Sequence, residues 1–166
     1  MKRILAIIIS LVIVYNISAQ GKYAGSKKLL IGKVYTDSKN IKGLTGWAFV
    51  QGSVLNPLTD PEMITVDVFK KGATCLVIFS FKEDTASDQF AIADILEVKP
   101  VVKGWAINTT FCRQDKVENS WIVAWVKGGS TEYLKTLKKA WRFNPDKRRI
   151  EITAIKGIDC LNENTD

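Results

Sequence analysis

The sequence predicts a mainly β domain (a β-rich α+β class), an antiparallel sandwich or open barrel of about eight or nine strands with one short helix near the C-terminus. Three observations carry this. Apolar and polar residues alternate with period two, most cleanly Ile64, Val66 and Val68 against Thr65 and Asp67, and Ile150 and Ile152 against Glu151 and Thr153. Turn formers, among them Gly43, Gly46, Asn56-Pro57 and Asp60-Pro61, punctuate the chain at short intervals. A single segment, just after Gly128-Gly129, joins a capping residue to helical spacing.

The N-terminus reads as an export signal. Lys2 and Arg3 precede the apolar run Ile4 to Val14, and Asn16-Ile17-Ser18-Ala19 ends on the small residue a signal peptidase requires. Eleven helical residues reach about 16 Å at about 1.5 Å each, whereas a membrane core needs about twenty. Cleavage is therefore expected after Ala19, leaving no transmembrane segment in the mature chain and a periplasmic or secreted location. No cysteine directly follows the run to take a lipid anchor. Removing residues 1–19 takes away two of 24 basic residues and none of the 17 acidic ones, so the charge falls from +7 to +5. Residues 20–28, polar and rich in Gly and Lys, are expected to form a mobile leader, with one domain over 29–166.

Within that domain the predicted strands are 29–36, 45–51, 63–70, 73–82, 89–98, 104–112, 120–127, 139–144 and 149–155. Lys71-Gly72 is the tight turn of one hairpin, the polar stretch Arg113 to Asn119 joins another, and Pro145-Asp146 turns the third. The predicted helix runs from Thr131 to about Lys138. Ser130 can cap it, Glu132 suits its first turn, and Lys135, Lys138 and Lys139 suit its C-terminal end. Trp141 and Phe143 alternate with Arg142 and Asn144, which favours a switch to strand before the proline turn.

Three cysteines in an exported chain mean one pair and one left over. Cys75 shares a strand face with Val77, Phe79 and Phe81, where a buried thiol belongs, and its apolar neighbours make it a poor nucleophile. The expected disulfide is Cys112–Cys160.

No histidine occurs anywhere. That removes Ser-His-Asp and Cys-His catalysis, imidazole metal sites and ordinary switching near neutral pH. No phosphate-binding glycine loop, nucleophile elbow or EF-hand is present. The sequence thus points to no catalytic residue, no metal and no cofactor. Carboxylate pairs such as Asp94 with Glu97, or Asp115 with Glu118, read as solvated or turn acids. The acidic loop Glu83 to Asp88 matches no calcium cage.

The strongest positive feature is the basic stretch Lys135, Lys138, Lys139, Arg142, Lys147, Arg148 and Arg149, opposed by one acid, Asp146, and interleaved with Tyr133, Trp141 and Phe143. Cations beside aromatic rings can grip polyanions, while solvated strand and turn cations explain the same pattern. Trp121 and Trp125 share a strand face with Val123. They could line a ligand cavity, although core filling is the commoner use of tryptophan. The candidate ligand-binding residues are therefore Lys135, Lys138, Lys139, Trp141, Arg142, Arg148, Arg149, Trp121 and Trp125.

Ala140-Trp141-Arg142-Phe143-Asn144-Pro145-Asp146, Arg149-Ile150-Glu151 and Gly157-Ile158-Asp159-Cys160-Leu161-Asn162-Glu163, with Cys112-Arg113 earlier, make a distinctive ending. It resembles a group of small exported bacterial proteins that end in A-W-R, a short hairpin and G-[I/V]-x-C-x-N-E. The resemblance implies a periplasmic or secreted location, supports the Cys112–Cys160 pairing and brings no activity with it.

The expected function is a non-enzymatic binding or envelope-interaction module with a basic-aromatic surface, its partner an anionic glycan or envelope component and not nucleic acid. The first alternative is a secreted inhibitor or partner of another exported protein, using the loop Leu55 to Glu62. The second is a hydrolase built on carboxylates or Ser-Lys groups.

Overall fold

The computed structural model describes Lys27 and residues 29–56, 62–82 and 87–163. The expected signal peptide, all of the leader except Lys27, the tip of the 55–62 loop and most of the acidic loop lie outside these residues. Thirteen strands occur among the described residues, all paired antiparallel. They are β1 (Val34–Tyr35), β2 (Ala48–Val54), β3 (Ile64–Lys71), β4 (Thr74–Lys82), β5 (Phe90–Val98), β6 (Trp105–Thr109), β7 (Cys112–Gln114), β8 (Val117–Glu118), β9 (Ile122–Lys127), β10 (Tyr133–Leu134), β11 (Leu137–Asn144), β12 (Arg149–Thr153) and β13 (Ile158–Leu161).

Three sheets result, in the orders β1-β5-β4-β3-β2, β12-β11-β9-β6 and β10-β13-β7-β8. One of them curls into a half-barrel. The first two face each other across the main core. Val66, Val68, Val77, Phe79 and Phe81 meet Val123, Trp125, Trp141 and Phe143 there, and Phe79 stacks on Phe143 at 4.5 Å. Both sheets are covered on their outer faces as well. Leu30, Tyr35, Ile41 and Leu44 pack over Phe69, Leu76, Ile78, Ile92 and Ile95 of the first sheet. Cys112, Leu134, Ile158 and Cys160 of the third sheet pack over Ile122, Ala124, Val126 and Ala140 of the second. Two covering layers thus enclose the two facing sheets, and β3, β4 and β9 are buried along nearly their whole length.

That layering corrects the reading of β3. Its alternation implies a solvated face, yet Thr65 and Asp67 are buried beneath the segment running from Leu30 to Leu44. The neighbouring β4 explains why. Cys75 to Phe81 is apolar on both faces, so a sheet built on it needs cover on both sides.

The expected helix over 131–138 does not form. Tyr133 and Leu134 pair with Leu161 and Cys160 instead, and β11 begins at Leu137 with a bulge before Lys139. About two helical turns give too few hydrogen bonds to offset nucleation, whereas strand pairing buries Leu134 against the disulfide. The helical structure among the described residues is the 3-10 turn Ser38–Asn40, capped by Asp37, and a turn near Leu29–Leu30. The predicted 104–112 strand breaks at Thr110, whose positive φ of 70° separates β6 from β7. β6 and β9 pair as expected, but the polar stretch between them makes its own hairpin on Asp115 and Lys116, both with positive φ. The first predicted strand shrinks to β1, the second shifts to β2, and β13 was not foreseen.

The Cys112–Cys160 disulfide joins directly opposed residues of β7 and β13, and Cys75 is buried and free. Asp94, expected to be solvated, is buried at the seam where β5 meets β12. Its carboxylate accepts from the Ile150 and Ile95 amides, both at 2.8 Å, and pairs with Lys27 at 2.7 Å. Among the described residues no helix is long and apolar enough to cross a membrane.

Candidate ligand cleft

The expected basic-aromatic surface is divided between two layers. Trp125 and Trp141 fill the core between the sheets, and Trp121 packs half-buried against it. Trp125 and Trp141 thus fill the core, with an exposed cation reaching one of the two rings. Lys135, Lys138, Lys139 and Arg142 are exposed along or beside β11. Lys138 Nζ stands 4.1 Å over the Trp125 ring at the bulge, covering it from solvent. Arg148 pairs with Glu62 at 2.8 Å and lies over Phe81. Arg149 and Lys147 both bind Glu151, at 2.6 and 3.2 Å. With Asn144 also donating, these contacts hold the Glu151 carboxyl down at about 2.

A different site forms on the outer face of the first sheet. A cleft of about 320 Å³ opens between the Tyr35–Ser38 segment and strands β2 and β3. Tyr35, Phe90 and Phe49 supply aromatic walls, Val54 an apolar edge, and Thr65 and Asp67 the floor. The geometry follows from local sequence. Asp37 caps the 3-10 turn through the Lys39 amide at 2.9 Å, which turns Ser38 inward. Antiparallel pairing sets Tyr35 beside Phe90, their rings stacked at 5.8 Å. The shifted register between Phe49 and Gln51 brings Gly52 directly opposite Asp67.

Asp67 is 3% exposed. The Tyr35 phenol and the Ser38 hydroxyl donate to its Oδ2, at 2.8 and 2.9 Å. Oδ1 faces Gly52, where a side-chain carbon would collide with it and would also press on Phe49 Cζ at 3.2 Å. Gly52 is therefore glycine for space, not for backbone conformation. Burial pushes the Asp67 carboxyl above its ordinary value, outweighing the two hydrogen bonds that favour the carboxylate. Burial, then the adjacent Asp67 charge, pushes the Tyr35 phenol up as well.

Beneath this pair, Thr65 and Ser80 face each other across β3 and β4. Both hydroxyls are enclosed and make no well-formed hydrogen bond, and both lie near enough to the Tyr35 phenol to favour its ionised form. Buried polar atoms are ordinarily well paired; Thr65 and Ser80, like the Trp125 indole nitrogen in the core, are weakly satisfied among the described residues. An apolar-walled cleft with convergent polar groups and a displaced carboxyl is the usual form of a small-molecule site. None of its residues is among the sequence's site candidates, because strand alternation alone does not show that the Thr65 and Asp67 face is covered.

Comparison with known protein families, with curated proteins and with solved structures finds no match to this chain.

Proposed function

We propose that this chain is an exported, non-catalytic binding module whose ligand is a small molecule held in the cleft over Asp67. Export rests on the charged start, short apolar run and small-residue exit of residues 1–19. The observation that carries the binding role is the convergence of the buried Asp67 carboxylate, Tyr35, Ser38 and Thr65 on one aromatic-walled cleft. Selection for stability alone would replace such a floor with apolar side chains, since an unpaired buried polar group destabilises by about 1–3 kcal/mol. The absence of histidine in the sequence, and a single carboxylate in the cleft, favour binding over acid–base catalysis.

A second reading is kept by one observation. Lys135, Lys138, Lys139 and Arg142 make no ion pair among the described residues, so their charge remains available to an anionic glycan or envelope component. Amide chemical-shift mapping of the chain from Gln20, titrated with a neutral and charged fragment set and separately with heparin, tests both readings. Fragment shifts gathered at Tyr35, Ser38, Gly52, Asp67 and Phe90 are the expected result. Shifts confined to Lys135–Arg142 with heparin, and none at the cleft, would replace the first reading with the second.

A further inference from the structure

We infer that the ligand of this cleft carries an ammonium group, seated against Oδ1 of Asp67. The inference rests on the cleft reading above and adds the charge of the occupant.

Six carboxylates among the described residues are buried or half-buried: Glu62, Asp67, Asp94, Glu97, Glu151 and Asp159. Five have a cation of the chain against them. Arg148 meets Glu62, Lys27 meets Asp94, Lys99 meets Glu97, Arg149 and Lys147 meet Glu151, and Arg113 meets Asp159. Asp67 is the exception and one of the most deeply buried of the six. Its partners, Tyr35 and Ser38, are neutral donors, and both use the same oxygen. No Lys or Arg contributes to its ionisation. In a chain with 24 basic and 17 acidic residues, a missing counter-cation at the most enclosed position is not a shortage of supply.

A buried carboxylate without a counter-charge is unfavourable in the free protein, and a bound cation removes that penalty. The cleft supplies what an organic cation needs in addition. Oδ1 takes no hydrogen bond from the described residues; it packs against Gly52, and Asp67 and Gly52 both line the cleft. Tyr35, Phe90 and Phe49 line it with aromatic carbon against which the body of an alkyl or aryl amine can pack. Among the described residues, the charged and titratable groups nearest the cleft are the Tyr35 phenol on β1, Asp37 between the lining residues Thr36 and Ser38, and Lys39, whose Nζ lies 5.9 Å over the Phe49 ring at the wall. A volume of about 320 Å³ is at the small end for ligand sites, which suits a monoamine or the amino terminus of a longer chain.

Isothermal titration calorimetry of the chain from Gln20 tests this with two isosteric pairs, phenethylamine against phenethyl alcohol and hexylamine against hexanol. The amines are expected to bind at least about tenfold more tightly than the alcohols, because only they place a charged donor on Oδ1. Asp67→Asn keeps an acceptor for Tyr35 and Ser38 and should erase that preference. Equal affinity for amine and alcohol, or binding of the alcohols alone, overturns the ammonium assignment and leaves the cleft reading standing. Failure of all four, together with fragment shifts that avoid Tyr35, Gly52 and Phe90, overturns both.

Discussion

Gly52 shows how much of the cleft depends on a single hydrogen atom. Its place opposite Asp67 lets Oδ1 pack against the backbone, and a methyl group there meets both that oxygen and the Phe49 ring. Gly52→Ala is expected to lower stability by about 1–3 kcal/mol through overpacking and to narrow the cleft, as measured by urea unfolding. An unchanged midpoint would mean that Asp67 moves aside freely and that the enclosure is loose. At this scale the sequence was only half legible. Cys75 was placed correctly as a buried thiol, and its apolar surroundings raise its pKa. Burial of Asp67 and Thr65 is not legible in the sequence, because period-two alternation reports which face a residue lies on, not whether that face meets solvent. The clue lay one strand away, where Leu76 and Ile78 are as apolar as Val77 and Phe79.

The third sheet is made of short strands and is held by a covalent bond. β7 and β8 are a three-residue and a two-residue strand, and β10 has two residues. What fixes them is the disulfide between β7 and β13, with the Arg113–Asp159 pair beside it at 2.8 Å and the Arg113 guanidinium over the Tyr133 ring. The bond closes a separation of 48 residues. Chain-entropy arguments give about 4 kcal/mol for a loop of that size. Replacing Cys112 and Cys160 together by Ala should lower unfolding free energy by about that amount and expose Ile122 and Ala124 to amide exchange. Loss of less than about 1 kcal/mol would show that the sheet docks without its staple. Strands of the main sheets were legible because their apolar periods are long. β8, β10 and β13 were not, since two to four residues carry no measurable period, and β10 also matched a helix start at Ser130.

Across the whole molecule, two antiparallel sheets buried on both faces leave few places where a polar group can be enclosed yet approachable. The layer from Leu30 to Leu44 creates one of them by covering the first sheet incompletely, so that Asp67 is enclosed while the cleft stays open at its edge. The pH response should carry this signature. Glu151, held down to about 2, and Asp159, also lowered by Arg113, contribute stability present above their unfolded values and lost only as pH falls to strongly acidic conditions. Asp67 has the opposite sign. Its folded pKa is raised, so its contribution is fully present below the unfolded value of 3.8 and is lost as pH rises through the folded value. The Tyr35 phenol, pushed up, stays neutral through that range. The most direct measurement is thermal unfolding of Asp67→Asn beside the unsubstituted chain, followed from neutral to mildly acidic pH without ligand. If Asp67 is kept for a ligand at some expense to the fold, the variant melts at or above the parent at neutral pH and the difference shrinks as Asp67 protonates. A variant that melts well below its parent at neutral pH would make Asp67 a structural keystone and contradict the ligand role.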